Sequence, residues 1–127
     1  MKILCLDFDG VIHEYKSKWQ APDVISDGPV EGALEFIKDS VKHFDVAIFS
    51  SRSRTPEGIE AMKKWLKLNL AIAYGSSIAE SISSKISFPT DKPPAHFTID
   101  DRAMMFTGTF PSISEIKAFK PWNKKCL

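Results

Sequence analysis

A chain of 127 residues, 43% hydrophobic and 26% charged, has the length of one domain and the composition of an ordinary globular protein. Its formal charge of +1 gives no net attraction to nucleic acid or acidic membranes, and two cysteines at opposite ends, Cys5 and Cys126, make neither a disulfide framework nor a zinc site. No apolar run approaches the roughly 18 residues of a membrane span and no signal peptide opens the chain, so a reduced, cytoplasmic setting away from membranes is expected.

Residues 3–6 read Ile-Leu-Cys-Leu, and Asp7-Phe8-Asp9-Gly10 follows at once. So short a run of β-formers predicts a buried strand with two carboxylates at its carboxyl end, where open α/β sheets bind ligands. Alternation points Asp7 and Asp9 one way and packs Phe8 on the opposite face. Two acids forced together are unfavourable without a cation between them, which makes a metal ion the natural partner; the plain alternative is a strand ending in an acidic turn. Gly10 permits a sharp turn or a close approach to a ligand.

Residues 13–28 read as an irregular flap beside these acids, with His13, Tyr15, Lys16, Lys18 and Trp19 interleaving aromatic and basic groups. Such groups can stack on a base or hold a second phosphate, although a solvated loop is the commoner outcome, and His13 reads as an ordinary surface residue. Asp27-Gly28-Pro29 then predicts a cap and first helical turn, followed by Val30, Leu34, Ile37, Val41 and Phe44 on one helix face. Residues 45–50 form a second short apolar strand ending in Ser50-Ser51-Arg52. Thr55-Pro56-Glu57 opens a second helix with Ile59, Met62, Leu66 and Leu70 inward and Trp65 along its edge.

Residues 70–74 predict a third strand stopped by Gly75, and Ile78, Ile82 and Ile86 suggest a short helix within 76–91. Lys92-Pro93-Pro94 breaks the pattern, residues 96–99 form another strand ending in Asp100-Asp101-Arg102, and a last helix covers 112–119. The lysines at 63, 64 and 67 and at 117, 120, 124 and 125 read as solvated faces. Strands alternating with helices predict an α/β fold, a three-layer α/β/α Rossmann-like sandwich around a central, mainly parallel sheet, in one domain over residues 1–127.

The polar candidates thus fall at one sheet edge in the order Asp7 and Asp9, Ser50, Lys92, then Asp100 and Asp101. In that order the chain resembles a haloacid dehalogenase-type phosphohydrolase over nearly its full length. Asp7-Phe8-Asp9-Gly10-Val11 resembles the family's first motif, Val46-Ala47-Ile48-Phe49-Ser50 its second, Lys92 its lysine and Thr98-Ile99-Asp100-Asp101 its acidic pair. Ser51 rivals Ser50, and Lys85 rivals Lys92.

The resemblance implies that Asp7 attacks phosphorus and that Asp9 protonates the leaving oxygen and later activates water. It implies a Ser50 hydroxyl on a phosphoryl oxygen and a Lys92 ammonium offsetting charge. Mg2+ would be held by Asp7, the carbonyl of Asp9 and an acid of the 100–101 pair, with Asp101 the direct ligand and Asp100 in support. Gly10, Ser51 and Arg52 lie where substrate would bind. Arg52 and Arg102 could each hold a phosphate oxygen, but an internal ion pair is the reading preferred for both. Neither segment 10–29 nor segment 52–92 is long enough for the family's cap domain, so the site is expected to be open. It would take a small phosphorylated molecule, covered if need be by a second copy in a homo-oligomer, or a phosphorylated macromolecular end. A receiver-type phosphoacceptor switch gathers similar groups, but in another order along the chain; a catalytically silent phosphate-binding module is the third reading.

Overall fold

The computed structural model describes residues 1–124; Lys125 and Cys126 lie outside the described residues. Four strands, β1 (Ile3–Leu6), β2 (Asp45–Ile48), β3 (Ile86–Ser87) and β4 (Phe97–Ile99), form one sheet in the order β3-β2-β1-β4. Every pairing is parallel, with Leu6 opposite Ile48 on one side and Ile99 on the other. The α/β class expected from the alternating pattern is therefore what forms. Since all strands run the same way, whatever follows β1, β2 and β4 emerges at the same edge.

Side-chain alternation puts Leu4, Leu6, Val46, Ile48 and Ile86 on one face of the sheet. They join the core with Ile37 of α1 (Ala33–Ser40), Met62, Leu66 and Leu70 of α2 (Pro56–Tyr74), and Ala79 and Ile82 of α3 (Ser76–Ser83). Cys5 and Ala47, small residues on the opposite face, are also buried. The chain returns from β3 to β4 through 88–96 without a helix, and α4 (Ile113–Ala118) follows β4. No residue of α4 is buried, and its Ile113 and Ile116 are exposed.

Three expectations are corrected here. The first helix starts at Ala33, capped by Gly32 at φ +83°, and not at Asp27-Gly28-Pro29. Pro29 instead bridges His13, and the Asp27 carboxylate accepts from the N–H and hydroxyl of Ser17, both at 2.7 Å. Residues 70–74 are the last turns of α2, because Leu70 continues the stripe of Met62 and Leu66 and nothing before Gly75 interrupts the helix. The short helix within 76–91 forms as α3 but ends at Ser83, so Ile86 belongs to β3. The last helix forms within the expected 112–119, and the structure shows how it starts: Ser112 accepts from the Glu115 N–H and Glu115 accepts from the Ser112 N–H. Residues 13–28 form the expected flap with no helix or extended strand. No helix among the described residues is long and apolar enough to cross a membrane.

Candidate active site

Asp7 is the first residue past β1, and its N–H still donates to the Ile99 carbonyl of β4 at 3.0 Å. Sheet pairing thus carries Asp7 to the edge where Asp100 and Asp101 leave β4. One carboxylate oxygen from each of the three acids lies within 4.8 Å of the other two. Burial pushes the Asp7 carboxyl up to about 8, and the charge of Asp100 adds to this; the bond from the Phe8 N–H at 2.9 Å opposes it.

Asp101 Oδ1 is buried with no hydrogen-bond partner. Gly10 adopts φ +86°, and a Cβ there would collide with Asp101 Oδ2, so glycine serves both the turn and the close approach. Three converging carboxylates, one of them with an orphaned oxygen, are a donor set suited to a hard divalent cation such as Mg2+. A cation there would favour the charged form of Asp7, which burial and the neighbouring Asp100 disfavour.

Asp9 meets different company. Alternation holds for Phe8, which is fully buried in the core. The Asp9 carboxylate, however, is outside the acid triad, and its counter-charge is a guanidinium: Arg52 Nε donates to Oδ1 at 3.1 Å and to Oδ2 at 2.9 Å. Arg52 itself is fully buried. Its Nη1 lies 2.8–3.0 Å from the carbonyl oxygens of Ala21, Pro22 and Val24 in the flap, its charge sits 4.8 Å from the Trp19 ring, and Nη2 is buried without a partner. The internal ion pair preferred for Arg52 is what forms.

Ser50 is buried and turned inward. Its hydroxyl accepts the Arg52 N–H at 3.0 Å, lies 3.6 Å from Met62 Sδ, and caps the turn Ser51–Arg54. Ser51, the next residue, is exposed at the start of that turn. Lys92 is exposed on the β3–β4 connection and lines, with Thr98, Asp100 and Met104, a groove of about 560 Å3. Lys85 immediately precedes β3 and so stands at the amino edge, away from the acids. Arg102 is exposed, and its N–H donates to Asp100 Oδ1 at 2.8 Å.

Two residues touch the site loop in ways that sequence reasoning did not assign. His13, expected at the surface, is only 1% exposed. The turn after β1 folds it inward: the N–H groups of Val11, Ile12 and His13 all reach the Phe8 carbonyl. Its one sequence signal is a position four residues after Asp9 inside that turn. Trp122 has no such signal, yet its indole N–H donates to the Gly10 carbonyl at 2.7 Å, and Asn123 donates to Glu14 O at 3.2 Å. In the flap, Lys16 pairs with Glu14 at 3.0 Å and Trp19 has one face on Arg52, while Tyr15 and Lys18 hold φ of +60° and +62°. Comparison with known protein families, with curated proteins and with solved structures finds no match.

Proposed function

We propose that the chain is a Mg2+-dependent phosphohydrolase of the haloacid dehalogenase type, acting on a phosphomonoester through an aspartyl-phosphate on Asp7. The observation that carries this reading is the meeting of Asp7, Asp100 and Asp101, the last of which also has a buried oxygen without a partner. Mg2+ held by Asp7, Asp101 and the carbonyl of Asp9, with Asp100 alongside, would supply charge neutralisation for phosphoryl oxygens.

The side chains divide the remaining work. The Asp7 carboxylate attacks phosphorus, forming an acyl phosphate as the bond to the leaving oxygen breaks. Asp9 delivers a proton to that oxygen and then takes one from the water that attacks the same phosphorus, releasing inorganic phosphate and restoring Asp7. Lys92 offsets phosphoryl charge from the groove it shares with Asp100. Ser51 offers the exposed hydroxyl at the end of β2, while Ser50 shapes the turn that presents it. The segments where a cap domain would sit are otherwise occupied: 13–28 is the flap, and 52–92 is almost filled by α2, α3 and β3. An open edge of this kind suits a small phosphorylated molecule or the phosphorylated end of a macromolecule.

The test is incubation with Mg2+ and a small phosphodonor, following phosphate release and the mass of the protein. Release over many turnovers, with slower loss of the adduct in Asp9→Asn, is the expected result. A stable stoichiometric phosphoprotein would favour a receiver-type switch, and neither adduct nor release would leave a silent phosphate-binding module.

A further inference from the structure

We propose that His13 is a positioning residue for Asp9, fixing which of its two oxygens exchanges a proton with substrate; this rests on the phosphohydrolase reading above. A carboxylate offers about four lone-pair positions. At Asp9, Arg52 Nε is shared between both oxygens, and His13 Nδ1 takes a second position on Oδ1 at 2.9 Å. Oδ1 is thereby filled, and Oδ2 keeps the single free position from which a proton can pass to a leaving group.

The imidazole can do this only as the Nδ1–H tautomer, and its other nitrogen settles the matter. The Asp27 N–H donates to His13 Nε2 at 3.1 Å, so Nε2 carries the lone pair and Nδ1 carries the hydrogen. The ring cannot swing away: it stacks on Phe8 at 5.7 Å between centroids and meets Trp65 edge-on at 5.6 Å. Trp65 is itself tied to the Asp27 carbonyl at 3.0 Å, so one flap residue holds both the ring and its cage. Arg52 grips the flap carbonyls of Ala21, Pro22 and Val24 while it grips Asp9. The rotamer of Asp9 is therefore set from the flap twice over, through His13, which Asp27 holds, and through Arg52, which the carbonyls of Ala21, Pro22 and Val24 hold.

This role separates by leaving group. An alkyl phosphate needs its leaving oxygen protonated, whereas a nitrophenyl phosphate leaves as a stable anion without help. His13→Leu keeps the cage filled but donates nothing, and is expected to lower kcat for an alkyl phosphate about a hundredfold, the scale of lost general-acid catalysis. It is expected to change kcat for the nitrophenyl ester only a few-fold and KM for neither. His13→Asn, whose amide N–H falls near the Nδ1 position, is expected to recover much of the alkyl-phosphate rate. Equal losses on both esters, or no loss on either, would overturn the proposal. A second readout needs neither metal nor turnover: a long-range 1H–15N spectrum of the neutral imidazole is expected to show a protonated Nδ1 and a bare Nε2. The opposite tautomer would overturn the clamp even in an active enzyme. No turnover of either ester by the wild type would instead overturn the phosphohydrolase reading, and the catalytic role of Asp9 with it.

Discussion

Asp7 and Asp9 stand two residues apart in electrostatically opposite surroundings, Asp7 among two further acids and Asp9 between Arg52 and His13. The sign of the first effect is testable. Native Asp7 keeps its proton up to about pH 8, whereas the unfolded chain releases it near 3.8. This contribution to the stability of the metal-free protein is therefore full at low pH and is lost as pH rises through that interval. Asp7→Asn carries no such charge, so it is expected to melt several degrees higher than the metal-free wild type at pH 8, with the gap closing toward pH 4, while losing phosphatase activity. A lower melting temperature than wild type at pH 8 would contradict the account of an Asp7 carboxyl held protonated by burial and by Asp100. For Asp9 the expected experiment is Arg52→Ala, which strips a part-buried carboxylate of its charge partner and three flap carbonyls of their donor. A loss of about 3 kcal/mol or more in urea titration is expected, the scale for breaking a buried pair. Lysine is not expected to restore it, because one ammonium cannot reproduce the fork. That Asp7, Asp9 and the 100–101 pair share an edge was legible in the sequence, and so was an ion pair as the preferred role of Arg52; that its partner is Asp9 was not, because their contact spans 43 positions that no local pattern reports.

Residues 70–74 show why short apolar runs mislead. Leu-Ala-Ile-Ala-Tyr satisfies a buried strand and a buried helix equally, and only length and context separate them. Here α2 runs on uninterrupted from Pro56, so the helix wins. The distinction is measurable, since Leu70 and Ile72 would share a face in a strand but not in a helix. Leu70 is fully buried and Ile72 is 75% exposed. Leu70→Ala is expected to cost about 2–5 kcal/mol, and Ile72→Ala no more than about 0.5 kcal/mol; comparable losses would contradict the helix. The strand the pattern missed, β3, is two residues long and has no periodicity to read. Only its pairing with Val46 and Ala47 defines it. By contrast, α4 formed within the expected 112–119, and what starts it is local, a serine and a glutamate three residues apart capping each other.

Across the molecule, parallel pairing brings the ends of β1, β2 and β4 to one edge, and Trp122 reaches Gly10 there, 112 positions away. The Trp122→Phe variant keeps an aromatic ring and removes the donor, so it is expected to cost about 1 kcal/mol, the worth of one hydrogen bond; no change in denaturant midpoint would mean that this bond does not hold the site loop. The parallel class was legible from the alternation of apolar runs with helix signals, whereas the tail contact was not, because nothing near Trp122 in sequence points to Gly10. The central claim is that this edge turns over phosphomonoesters on Asp7 with Mg2+. It is tested most directly by locating the covalent intermediate: rapid quenching of the wild type and Asp7→Asn with a phosphomonoester and Mg2+, followed by peptide mass analysis. The account expects a transient acid-stable phosphoryl group on Asp7, formed and lost in step with phosphate release and absent from Asp7→Asn and from chelator-treated protein. Phosphate release that proceeds equally in Asp7→Asn, or with no phosphoryl group on Asp7, would contradict it.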